Sequence, residues 1–180
     1  MLVAYLTEDF TLHTKHQKMY NVSVMIALMY TMKKALCSLY PEDKVIEMMA
    51  DSMALICAVP SMEMLPRSND QGMLYSTINI LSSEDIEDLE RILKGEEEEF
   101  VAVFASFGDT QSIFYSPKED GVLSACLLVR KLVELLREDD MLRTEALLRI
   151  ENDPVLSPLL PTMELILSPG GVSVPKESLN

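Results

Sequence analysis

Phe100–Phe107 reads FVAVFASF, Gly108-Asp109-Thr110-Gln111 follows, and residues 112–116 turn apolar again as SIFYS. An almost unbroken apolar run, a short polar interruption and a second run predict a β-hairpin whose first strand is buried on both faces. Such a strand needs cover from both sides, so the segments around it set the fold class.

Downstream, Ser116-Pro117-Lys118-Glu119 places a capping serine, a proline at the first helical position and a glutamate at the third. The helix it opens is expected to reach about residue 138. Val122, Leu123, Cys126, Leu127, Val129, Leu132, Val133 and Leu136 form its apolar stripe. Asp139 or Asp140 then starts a shorter helix to about residue 150.

Upstream, residues 73–81 alternate Leu74, Ser76, Ile78 and Ile80 with Tyr75, Thr77 and Asn79, which predicts a half-buried strand. A capped helix from Ser82 or Ser83 to Lys94 and Gly95 follows. The first third reads as two helices. One runs from about residue 14 to 39, and the other opens at Pro41 with Glu42 and Asp43 and ends before Pro60.

With an optional opening strand, the order is (β)ααβαββαα. That is an α+β fold: a small, mainly antiparallel sheet of about three to five strands covered by helices, with an N-terminal helical pair. Residues 1–153 are expected to form one domain, 1–60 mostly helical and 73–150 mixed. The final segment, 154–180, holds five prolines (Pro154, Pro158, Pro161, Pro169 and Pro175) and reads as a tail. It is extended, or forms a hairpin from MELIL and VSV around SPGG.

Composition excludes several functions. The 180 residues carry 15 Lys plus Arg against 29 Asp plus Glu, a formal net charge of −14. Direct nucleic-acid or anionic-membrane binding needs clustered cations and is not expected. The longest apolar helical stretch spans about 14 residues, short for a membrane span. The start turns acidic at Glu8 and Asp9, without the basic region of a signal peptide. Cys37, Cys57 and Cys126 form no close-spaced pair, so neither a disulfide framework nor zinc is expected and a cytoplasmic, reducing location is.

Motifs for chemistry are sparse. His13 and His16, the only histidines, stand three apart and would share a face if helical. Two ligands specify little, and the pair is read as a surface pair. Cys57 and Cys126 sit among aliphatics, away from what activates a thiolate. The six glycines fit no phosphate-cradling spacing. No catalytic residue, metal or cofactor is assigned.

Charge and methionine remain. Residues 84–99 hold nine acids and two bases, half of the net charge in sixteen residues. Glu84, Asp85, Glu87, Asp88, Glu96, Glu97, Glu98 and Glu99 are the expected acidic patch for a partner protein with a basic surface. Ten of thirteen methionines lie between Met19 and Met73. Met25, Met29 and Met32 recur at helical spacing, as core filler or as an adaptable apolar partner face.

The expected function is therefore a non-catalytic intracellular interaction or regulatory module of adaptor, chaperone, inhibitor or viral accessory type. The alternatives are a nucleic-acid mimic that blocks a DNA- or RNA-binding protein, and an enzyme whose site carries no motif. The apolar strand and helix pairing also admits a homodimer.

Overall fold

Leu2–Thr7, LVAYLT, forms strand β1 in the computed structural model, which describes residues 2–7, 11–58, 100–107, 110–115 and 121–171. Its branched and aromatic residues suit an extended, packed strand. Leu12–Thr14 (β2) folds back on it, and β1 lies antiparallel to Phe100–Phe107 (β3). Thr110–Tyr115 (β4) completes an antiparallel four-stranded sheet in the order β2-β1-β3-β4. The expected hairpin is thus present, and the opening strand sits beside it at the centre of the sheet.

Two helices follow β2, Asn21–Cys37 (α1) and Glu42–Ala58 (α2). The first was expected to begin near residue 14. Pairing with β1 holds Leu12–Thr14 extended, and a single 3-10 turn, Lys18–Tyr20, precedes Asn21. Acidic Glu42 and Asp43 occupy the first turn of α2, where the helix dipole favours them, and Lys33 of α1 pairs with Glu42. After β4 come Gly121–Arg137 (α3), Asp140–Glu151 (α4) and Leu160–Leu167 (α5). Asp139 caps α4, its carboxylate accepting from the amides of Met141 and Leu142, each at 3.1 Å.

The helices cover the sheet face that carries Ala4, Leu6 and Phe104. Alternation turns Val3 and Tyr5 to the other face, and both are buried too. Helix α1 is apolar almost all round, as a central helix must be, with Val22, Val24, Met25, Leu28, Met29 and Met32 buried. Leu128, Val129, Leu132, Val133 and Leu136 of α3 complete the middle of the core.

Residues 154–167 belong to this body. MELIL lies in helix α5, so the extended and hairpin readings of that stretch do not hold. Leu156, Leu159, Met163, Ile166 and Leu167 are buried in the same core, and Pro158 and Pro161 sit in first turns, where a missing N–H costs nothing. Five apolar side chains at helical spacing offset the ordering of a proline-rich segment.

Two arginines of α3 tie helix ends together. Arg130 Nη1 donates to the Ile56 carbonyl at the C-terminal end of α2, at 2.8 Å. Arg137 Nε donates to the Ile166 carbonyl at the end of α5, at 2.5 Å. Each guanidinium meets carbonyls left unsatisfied by helix termination, at the negative end of a helix dipole.

Candidate interaction surface

Helix α4 runs alongside α1 in the same direction, pinned at three places. Lys18 meets Asp139 at 3.2 Å, Ser23 accepts from Arg149 at 3.0 Å, and Tyr30 donates to Asp153 at 2.5 Å. Leu142, Ala146 and Ile150 form the buried stripe of α4. At about 100° per residue, Arg149 and Glu145 border that stripe on the side of α1, while Met141 and Leu148 fall about 140° and 160° from its centre, on the outward face of α4. On that outward face Met141 is 78% exposed and Leu148 52% exposed; Met19 and Tyr20 stand exposed on the 3-10 turn before α1.

An open depression of about 550 Å³ adjoins this turn, lined by Leu2, His16, Gln17, Tyr20 and Ser23. His16 forms part of its wall and is fully committed. Its Nδ1 is 2.9 Å from the Val3 carbonyl oxygen and its Nε2 2.8 Å from the Asn21 side-chain oxygen. With both ring nitrogens hydrogen-bonded, no lone pair is left for a metal. His13 lies in β2, stacked on Tyr5 with ring centroids 4.9 Å apart. The two histidines therefore share neither a helix nor a ligand geometry, and no group of three metal-ligating side chains occurs among the described residues.

The apolar face expected from Met25, Met29 and Met32 is not on the surface, because all three side chains are in the core. Glu84, Asp85, Glu87, Asp88, Glu96, Glu97, Glu98 and Glu99 lie outside the described residues, as do the strand expected over 73–81 and the cap at Ser116-Pro117. Cys57 is buried at the end of α2. Burial pushes its thiol up to about 11, against the pull of the nearby Arg137 and Arg130 guanidinium groups. A thiol so placed is a packing residue.

Sequence reasoning missed Met141 and Leu148 as an exposed apolar pair on one face of α4. Met141 and Leu148 are seven apart, two helical turns, and fall off the 142/146/150 stripe. That offset was visible, whereas the proximity of residues 18–20 to α4 arises from tertiary packing alone. No family model, curated protein or solved structure matches the chain. No helix among the described residues is long and apolar enough to cross a membrane.

Proposed function

We propose that this protein is a protein-interaction module of the intracellular, reducing environment, with a partner rather than a substrate as its target. The observation that carries the reading is the outward face of α4, where Met141 and Leu148 stand exposed two turns apart while Leu142, Ala146 and Ile150 hold the helix to the core. Large exposed apolar side chains gathered on rigid helical elements are what a partner would desolvate on docking. The acidic block 84–99 supplies a second, electrostatic component, selecting partners with a basic surface and speeding encounter. Free thiols at Cys37 and Cys57 agree with a reducing compartment.

Affinity capture at low and moderate salt tests this with three baits: the wild-type chain, a Met141→Asp/Leu148→Asp variant and a variant with Glu96–Glu99 changed to glutamine. The apolar variant is expected to lose the partner at both salts. The glutamine variant is expected to lose it chiefly at moderate salt, where the smaller attraction is further screened. An identical partner set for all three baits overturns the reading. A wild-type partner displaced by DNA would instead favour polyanion mimicry.

A further inference from the structure

The two edges of the sheet are built differently. At the β2 edge the strand is three residues long, and the chain turns away through Lys15 and His16, whose backbone N–H and ring Nδ1 both reach the Val3 carbonyl. A short strand followed by a lysine resists pairing with another chain. Among the described residues the β4 edge has no such device. Thr110–Tyr115 contains no charged residue and no proline, pairs with β3 in continuous register, and carries no further strand on its outer side among the described residues.

Which backbone groups face that outer side follows from the hydrogen-bond alternation of antiparallel pairs. The Lys15 amide donates to the Val3 carbonyl and the Thr7 amide to the Thr11 carbonyl, so Val3, Tyr5 and Thr7 bond toward β2. Leu2, Ala4 and Leu6 therefore bond toward β3, to Ser106, Phe104 and Ala102. Val103, Ala105 and Phe107 are left to bond Phe114, Ser112 and Thr110 of β4. The N–H and C=O groups of Gln111, Ile113 and Tyr115 consequently point outward.

We propose that β4 pairs edge to edge with β4 of a second copy of this chain, forming a homodimer with one continuous sheet. The outward set is self-complementary. A two-fold axis at Ile113 places Ile113 opposite itself and Gln111 opposite Tyr115 in both directions, so every outward donor meets an outward acceptor. Roughly six hydrogen bonds join the copies, within the range of about 10 ± 5 found at interfaces. The charge balance is compatible with this edge. Two chains of net charge −14 repel, and β4 brings them together through a segment with no charged residue. The pairing is independent of the Met141 and Leu148 surface.

The experiment is sedimentation of the full chain across a concentration series, with hydrogen exchange on the same samples. Wild type is expected to move from 20.3 kDa toward twice that mass, with the Gln111, Ile113 and Tyr115 amides gaining protection in step. Gln111→Pro removes one outward donor and spares the β3 ladder, and is expected to weaken dimerisation at least about tenfold with an unchanged thermal melt at concentrations where both proteins are monomeric. Should the variant unfold, the exchange data on wild type decide alone. A monomer at all concentrations, a dimer whose outward amides stay unprotected, or a dimer indifferent to Gln111→Pro in a folded variant each overturn the proposal. So does protection of the three amides independent of concentration, which would assign the edge to another segment of the same chain.

Discussion

The hydroxyl of Tyr30 donates to the Asp153 carboxylate at 2.5 Å, across 123 residues of chain. It joins the middle of the central helix α1 to the turn between α4 and α5. The other Asp153 oxygen accepts from the Val155 and Leu156 amides, at 2.8 and 3.0 Å, so one carboxylate starts the α5 segment and anchors it. Tyr30→Phe should cost about 1.5 to 2 kcal/mol at pH 7, the lower part of the range of a hydrogen bond to a charged group because the pair is only partly buried. Asp153→Ala should cost more, about 2 to 3 kcal/mol, because two further N–H groups lose their acceptor.

Both members of this pair make stability depend on pH, in opposite directions. Burial pushes the Asp153 carboxyl up, but the Tyr30 hydroxyl and the Leu156 and Val155 amides together hold it below the ordinary value. Its contribution is present above the unfolded pKa of about 3.9 and is lost as pH falls through the lower folded value. Denaturant melts of wild type and Asp153→Asn should therefore converge below about pH 4, and a constant gap would disprove the linkage. Burial, then the bond and charge of Asp153, push the Tyr30 phenol up to about 12. The folded state keeps that proton longer, so stability should fall as pH rises from about 10 to 12. An ultraviolet titration should show one late phenolate that disappears in Tyr30→Phe.

Thiol chemistry should separate two cysteines cleanly. Cys37 is exposed and Cys57 buried, with its thiol held up at about 11 by burial. At pH 8 an aromatic disulfide reagent should label Cys37 on mixing, and Cys37→Ser should abolish that phase. Labelling of Cys57 should wait on opening of the fold and accelerate with denaturant. Fast modification of Cys57 in native protein would show its environment to be open.

Core and surface methionines should respond to truncation in contrasting ways. Met29 is fully buried in α1 and Met141 is 78% exposed on α4. Met29→Ala should cost about 2 to 5 kcal/mol, whereas Met141→Ala should stay within about 0.5 kcal/mol. Chemical melts at neutral pH decide it.

The difference between these two methionines also marks how far the sequence could be read. Local signals reported the hairpin at 100–115, the Asp139 cap and the acidic start of α2, because each depends on residues close in the chain. The sequence left two roles open for Met25, Met29 and Met32, since a buried and an exposed apolar helix face share one spacing. Only the closeness of α3, α2 and the sheet decides for the core. Prolines concealed α5: their density suggested an extended tail, while Leu156, Leu159, Met163, Ile166 and Leu167 carried the helical spacing. The Lys18–Asp139 ion pair joins positions more than a hundred residues apart, and no local pattern announces such a meeting.

The turn after α5 packs against Arg137. Gly171 holds φ at +60°, and its N–H donates to the Ser168 carbonyl at 2.8 Å. A Cβ there would stand 3.1 to 3.2 Å from the Arg137 guanidinium carbon and terminal nitrogens. Two penalties are therefore combined in Gly171→Ala: about 1 kcal/mol for a left-handed backbone with a side chain, and a further cost from displacing Arg137 off the Ile166 carbonyl. Together they should reach about 2 kcal/mol. In an Arg137→Ala background the guanidinium is gone and only the backbone part remains, so the same substitution should cost about 1 kcal/mol. The double-mutant cycle thus measures the coupling between a helix-capping arginine and the turn packed over it. Equal costs in the two backgrounds would show that the glycine is required by its backbone alone.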